Sequence, residues 1–362
     1  MTSMQKLWVI YIGAAVIAIC IAGTIAYLLV TGISPPSNTT AGQKLIRVGL
    51  SMDTLSELRW QSDKDLLTQR AAQDGATLVT EVANSDDATQ ISQIEDLIAQ
   101  KVDVIIIIAH NAQALSAAIN DAHTAGIKVV AYDRLILNSD VDLYVSFDST
   151  KVGEYAAQYV LQAVPASTSP VHVAYIGGAP TDNNAALVRN GAMSVLGPLI
   201  SSGKVVLVLD KPTDNWDPQI AYENMKTFLD AGGKVDAVVA ANDGTAGGVI
   251  QALSEHGLAG KVPLSGQDAD LPALQRIVQG TQTVTSYKPI AQEAQVAMDD
   301  AVGLAKGTDP EVNTTVDNGL KSVPSYLIDP IPVTKDNIKE TVIADGFHSA
   351  IEIYGTSSMP TN

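Results

Sequence analysis

In MDTLSELRW (52–60) a guanidinium and an indole adjoin as Arg59 and Trp60, and in VVAYDRLI (129–136) an oily run ends abruptly in Asp133 and Arg134. GGAPTDNN (177–184) closes on Asp182 and Asn184, and DKPTDNW (210–216) closes on Trp216. ANDGTAGG (241–248) begins with Asn242 as its second residue, GQDAD (266–270) holds Asp268, and TQTVTSYK (281–288) ends in Lys288. Carboxylates, amides and guanidinium groups offer paired, coplanar acceptors or donors. These match the adjacent hydroxyls of a sugar, while a tryptophan face covers the apolar C–H surface of such a ring. Taken singly, each residue has a plainer reading: Asp and Asn cap the helix after a strand, and Asp133 with Arg134 can be a local ion pair. What favours the ligand reading is the recurrence of acid, base, amide and aromatic at equivalent places along the chain.

Those places are strand ends. IRVGLS within 45–51, ATLVTEV (76–82), DVIIIIA (103–109) and IKVVAY (127–132) have strand character, as do VHVAYI (171–176), KVVLVL (204–209), VDAVVA (235–240), KVPLS (261–265) and TQTVTS (281–286). Between them lie stretches of helical spacing such as 57–74 and 89–100, the latter with Ile91, Ile94, Leu97 and Ile98 on one face. The run at 103–109 is apolar without alternation, as expected of a strand covered on both faces. This βα rhythm predicts parallel sheets with right-handed crossovers, and about ten strands exceed what one such sheet comfortably holds. The fold class expected is α/β, with two doubly wound, Rossmann-like lobes. In such sheets ligands bind beyond the carboxyl ends of the strands, where the candidate residues sit.

Composition excludes several classes. With 362 residues, 22 Lys and Arg against 39 Asp and Glu, and a net charge of −17, the chain is too acidic to suit nucleic acid. The five histidines lack metal-ligand spacing, and neither GxxxxGK nor GxGxxG occurs, so no metal and no nucleotide cofactor is expected. Residues 7–30 carry no charge and exceed the about 20 apolar residues a membrane helix needs, predicting an uncleaved N-terminal transmembrane anchor. Lys6 weakly places residues 1–6 in the cytoplasm, which puts everything after the Ser/Thr/Pro-rich tether at 31–44 outside, at the cell membrane. Cys20, the only cysteine, falls inside the apolar run, so no disulfide is expected.

Taken together, LSELRWQ, SQIEDLIAQKVDVIII, VVAYDRLI, SFDSTKVGEYAA, APTDNNA, AANDGTAGGVIQALS, SGQDADL, GTQTVTSYKPI, DNGLKSVPS and ADGFH resemble segments of the ribose-type periplasmic sugar-binding proteins of bacterial ABC importers, in the same order, from about Ile46 to His348. The resemblance implies a monosaccharide held between two lobes, with D-xylose first among the aldoses, and delivery to a membrane permease with its ATPase subunit. It implies that Arg59, Asp133, Arg134, Asn184, Asn242, Asp268 and Lys288 hydrogen-bond the pyranose with Asp182 beside them, and that Trp60 and Trp216 sandwich the ring. The match departs at DKPTDNW, where Asn215 precedes Trp216. It also implies a three-segment hinge with crossings near 149, 286 and 320. One lobe would then combine 45–148 with 287–319, the other 149–286 with 320–346, leaving 347–362 as a tail.

A glycosidase could use two of Asp133, Asp182 and Asp268. Arg134 and Lys288 beside them are expected to hold those carboxylates ionised, whereas a general acid needs a raised pKa, so no catalytic residue is expected. A repressor of the same fold would need a basic helix-turn-helix where the apolar run stands. A sugar receptor for signalling, or a binding protein for arabinose, ribose, glucose or galactose, stays open alongside import of D-xylose.

Overall fold

The computed structural model describes residues 45–355. The expected anchor at 7–30 and tether at 31–44 lie outside the described residues, as does 356–362. Among the described residues no helix is long and apolar enough to cross a membrane.

The chain opens with β1 (Ile46–Met52), α1 (Leu58–Gln73), β2 (Ala76–Val82), α2 (Asp87–Ala99), β3 (Val104–Ile108), α3 (Ser116–Thr124), β4 (Lys128–Tyr132) and β5 (Leu143–Phe147). It continues through α4 (Ser149–Ala163), β6 (Val171–Ile176), α5 (Asn183–Ser201), β7 (Val205–Lys211), α6 (Pro218–Asp230), β8 (Ala237–Ala240), α7 (Asp243–Glu255), α8 (Leu271–Gln279) and β9 (Thr285–Tyr287). The last elements are α9 (Ile290–Ala305), β10 (Thr314–Asp317), β11 (Ser322–Ile328), β12 (Ile331–Val333) and α10 (Ala350–Tyr354).

The first sheet runs β10-β11-β5-β4-β3-β1-β2, parallel except for β10. Its centre explains the apolar run: all five residues of β3 are buried, and successive side chains point to opposite faces. Ile106 and Ile108 join Leu50, Tyr132 and the inner faces of α1 and α9, whereas Ile105 and Ile107 join Val129, Ala131 and residues of α2 and α3. The second sheet is β7-β6-β8, covered by one apolar cluster on each face. It is prolonged by single bridges from Val238 to Leu264 and from Gln267 to Ser286, which reach the antiparallel pair β9-β12. The expected strand at 261–265 thus shrinks to one bridge, since Pro263 has no N–H to give a ladder.

The lobe boundaries differ from expectation in two places. β11 pairs in parallel with β5, so the third crossing follows Ile328 and not residue 320. Residues 347–355 are no tail: Ile353 is buried, and Phe347 and Tyr354 pack with it against Leu274, Tyr287 and Val342. The fully buried run LYVSF of β5 carries a β-branched and aromatic signal that the βα rhythm alone passes over. The β10–β11 hairpin is marked by Asn318-Gly319, a turn signal of the same local kind.

α4 and α5 touch backbone to backbone. A Cβ at Gly153 would lie 1.9 Å from the Val188 carbonyl oxygen, and one at Gly191 would lie 2.0 Å from that of Thr150. Gly153→Ala is therefore expected to force these helices apart and lower stability by about 1–3 kcal/mol, read as a shift in the urea unfolding midpoint. An unchanged midpoint would mean that the helices separate freely.

Candidate functional site

The site begins at the end of β4. Asp133 adopts a left-handed backbone, φ 57°, pinned by hydrogen bonds that its carbonyl accepts from Ser146 Oγ (2.6 Å) and Tyr144 OH (3.1 Å). No helix follows directly, so its carboxylate caps nothing and turns inward. Oδ2 accepts from Arg59 Nη1 at 2.7 Å, and Oδ1 accepts from Asn184 Nδ2 at 2.8 Å. Arg59 and Trp60 lie in the first turn of α1, both buried. Arg59 also forks onto Asp63 one turn later, donating from Nε (3.1 Å) and Nη2 (3.0 Å), and Nη2 reaches Glu293 Oε2 at 3.1 Å. Arg134 donates from Nη1 to Asp53 Oδ2 (2.6 Å) and the Ala109 carbonyl (3.1 Å), and from Nη2 to Glu57 Oε1 (3.2 Å). Both guanidinium groups stand over the Trp60 ring, at 4.2 and 5.0 Å from its centroid.

The second sheet supplies the facing wall. Asp182 caps α5 by accepting from Asn184 N at 2.8 Å, yet its Oδ2 also accepts from Trp216 Nε1 at 3.1 Å and pairs with Arg134 Nε at 2.9 Å. Asn242 caps α7 through Thr245 N at 2.8 Å. In these two residues a helix cap and a place in the cavity wall coincide. Trp216 stands on a short turn where it and Asn215 are left-handed, φ 56° and 53°. Its ring lies so close to Gly178 that any Cβ there would meet it at 2.1 Å. Lys288 stands where the chain crosses between lobes, with Nζ 3.1 Å from Asp268 Oδ1 and 3.7 Å from Asp133 Oδ2.

All ten residues singled out from the sequence converge: Arg59, Trp60, Asp133, Arg134, Asp182, Asn184, Trp216, Asn242, Asp268 and Lys288 line one cavity of about 240 Å³, completed by Glu57 and Gln267. Two polar atoms in its wall, Asn184 Oδ1 and Gln267 Oε1, are buried and accept no hydrogen bond from the protein. Both have lone pairs free to accept from a donor placed in the cavity.

Sequence reasoning missed the carboxylates behind the wall. Asp63 was findable, because it lies four residues after Arg59 on one helix. Glu293 was not, being 234 residues from the arginine it meets. The expectation that every site carboxylate is held ionised fails in part. Burial disfavours the Asp133 anion, but Arg59, Lys288 and Arg134 outweigh it and hold the group at about 2. At Asp182 burial wins over Arg134 and the pKa rises; burial also lifts Glu57 to about 7.

Residues 48–309 match the family described as the periplasmic binding protein domain. The chain belongs to this family. It is 50% identical over 330 residues to the D-xylose-binding periplasmic protein of Haemophilus influenzae, covering 91% of this chain and 98% of that one. It is 48% identical to the protein of the same name from Escherichia coli, over 88% of this chain and 95% of that one. A periplasmic binding protein fold also joins it to the carbohydrate transporter solute binding protein of Chloroflexus aurantiacus solved in complex with D-glucose. There the TM-score is 0.80 at 32% identity, over 85% of this chain and 98% of that one.

Beside the cavity, burial and then the neighbouring Asp243 and Asp268 push Asp270 up to about 8. A carboxyl raised in the folded state contributes stability that is complete below its ordinary pKa and lost as pH rises through the folded value. Asp133 has the opposite sign, but its loss falls near pH 2. The melting temperature is therefore expected to be highest near pH 4 and to fall as pH rises to about 8, levelling off above, with Asp270→Asn flattening the fall. A melting temperature constant across that window would contradict the assignment.

Proposed function

We propose that this chain is an extracytoplasmic solute-binding protein of a carbohydrate ABC importer, which closes two lobes around one monosaccharide, D-xylose before other aldoses, and presents it to a membrane permease and its ATPase. The observation that carries the reading is the convergence of ten polar and aromatic side chains from both lobes on one small buried cavity. Paired carboxylate and guanidinium groups fit vicinal hydroxyls, and Trp60 and Trp216 provide ring faces. Two relatives at about half identity are D-xylose-binding periplasmic proteins, which agrees with the pentose.

Closure follows from the contacts that cross the cleft. Asn184 donates to Asp133, Arg134 pairs with Asp182, and Ala112 N donates to the Thr181 carbonyl at 2.9 Å. A lobe holding only half of these partners binds sugar weakly, and sugar that supplies the missing partners draws the halves together. The reading assigns binding without turnover, and no catalytic residue. It includes the N-terminal anchor, which would keep the binding domain at the outer face of the membrane, and three crossings near 148, 288 and 329 that act as the hinge.

Titration calorimetry of the purified protein is expected to give one D-xylose site, unchanged by EDTA, with Asp133→Asn weakening binding at least tenfold while far-ultraviolet circular dichroism stays the same. Both carboxylate oxygens of Asp133 accept, so an amide turns one into a donor facing a donor; a bond to a charged group contributes about 1.5–3 kcal/mol, and about 1.4 kcal/mol is a factor of ten. Silence toward every aldose sinks the proposal. For the anchor, cell fractionation with N-terminal sequencing is expected to find the intact chain in the membrane, and a soluble chain beginning near residue 35 refutes it.

A further inference from the structure

A pair of side chains outside the cavity joins the two lobes at the rim of the cleft. The loop after β3 carries His110 and Asn111, and three hydrogen bonds fix it to its own lobe. Gln90 of α2, itself buried, accepts from His110 N at 2.9 Å. Asp87 in the first turn of α2 takes both side chains, His110 Nδ1 on Oδ1 at 2.7 Å and Asn111 Nδ2 on Oδ2 at 2.8 Å. Asp87 thus orients the imidazole and leaves its Nε2 for a second partner.

That partner belongs to the other lobe. His110 Nε2 stands 3.3 Å from Asn215 Oδ1, on the turn Asp214–Trp216 that follows β7. An amide offers both a donor and an acceptor, so turned to suit it pairs with the ring in either protonation state. Two residues on, Ala112 N donates to the Thr181 carbonyl at 2.9 Å, so the same loop crosses the cleft twice.

What Asn215 adjoins gives the pair its consequence. Asn215 is exposed, whereas Trp216 beside it is buried, with its indole N–H on Asp182. Both are left-handed, φ 53° and 56°, a conformation that residues other than glycine avoid. Within its own lobe the turn is closed by Trp216 N on the Thr213 carbonyl and Asp217 N on the Asp214 carbonyl, both at 3.1 Å. Among the described residues the Asn215 side chain meets no hydrogen-bond partner but His110. The tie exists only with the lobes together, so it must break before an enclosed ligand leaves.

We infer that His110, oriented by Asp87, is a positioning residue that holds Asn215 across the cleft, steadies Trp216 against the enclosed ring and slows sugar release. The inference rests on the sugar-binding reading above, and it assigns the lifetime of the closed state to residues that line no part of the cavity. Asn215 falls in DKPTDNW, the segment where the match to the family's sequences departs, so the pair is not carried over with the resemblance.

The test is stopped-flow tryptophan fluorescence of the full chain with D-xylose, the association and release rates being read from the concentration dependence of the relaxation. His110→Phe keeps a ring without its nitrogens, and Asn215→Gly removes the amide at a position whose positive φ glycine tolerates. Each is expected to speed release about three- to tenfold, the effect of losing one hydrogen bond, with association within about twofold of wild type. The double variant is expected to release within about twofold of the faster single variant, because both changes break the same contact. Release sped by less than about threefold in either single variant overturns the inference, as do effects that multiply in the double variant or a change carried by association instead. In those cases sugar binding by wild type leaves the monosaccharide reading standing, whereas silence of wild type toward every aldose removes both.

Discussion

Charge buried away from water must be paired, and at the centre of this molecule the first lobe supplies most of that pairing while Asp182 and Asp268 add partners from the second. Removing an ion from water costs several kcal/mol, which attraction repays only with near-complete pairing. Three cations, Arg59, Arg134 and Lys288, stand among seven carboxyl groups, those of Asp53, Glu57, Asp63, Asp133, Asp182, Asp268 and Glu293. The acids exceed the bases, so they cannot all be charged. Asp133, which feels Arg59, Lys288 and Arg134 together, stays ionised, whereas burial raises Glu57, Asp63, Asp182 and Glu293. Protonation is thus distributed by position within one cavity wall, with the firm negative charge on Asp133 and raised pKa values at Glu57 and Asp182.

This network also explains the backbone. Asp133, Trp216 and Asp268 all have positive φ, a conformation that costs about 1–3 kcal/mol for a residue other than glycine. Each is held by other contacts: the Asp133 carbonyl by Ser146 and Tyr144, Trp216 by the space left at Gly178, and Asp268 by the hydrogen bond its backbone N–H donates to the Ser286 carbonyl at 2.8 Å. The strained turns aim side chains that relaxed ones would send elsewhere. Rigid parallel sheets behind them, with β3 wholly buried, make that aim reproducible.

Capping and cavity lining are combined in the second lobe. Asp182 and Asn242 satisfy the first turns of α5 and α7 and line the cavity with the same side chains. The cavity wall therefore borrows groups that folding already requires. The economy has a geometric origin, since a parallel strand followed by a helix brings the cap to the carboxyl end of the sheet, where a ligand meets the converging loops.

Much of this was legible in the sequence because it is local. Apolar runs of strand length alternate with helical spacing, and the residue that ends each strand is fixed by the chain itself, so the α/β class and all ten cavity residues could be read without knowing how the strands pair. The shape and charge state of the site could not. Glu293 meets Arg59 across 234 positions, β11 leaves the second lobe to pair beside β5, and Ile353 folds back into a core instead of trailing away. Burial that raises Glu57 to about 7 while Asp133 sits at about 2 depends on which groups end up adjacent, and no spacing encodes that. Periodicity and strand ends are properties of neighbours along the chain, whereas pairing, desolvation and enclosure are properties of neighbours in space, and only the tertiary structure decides those.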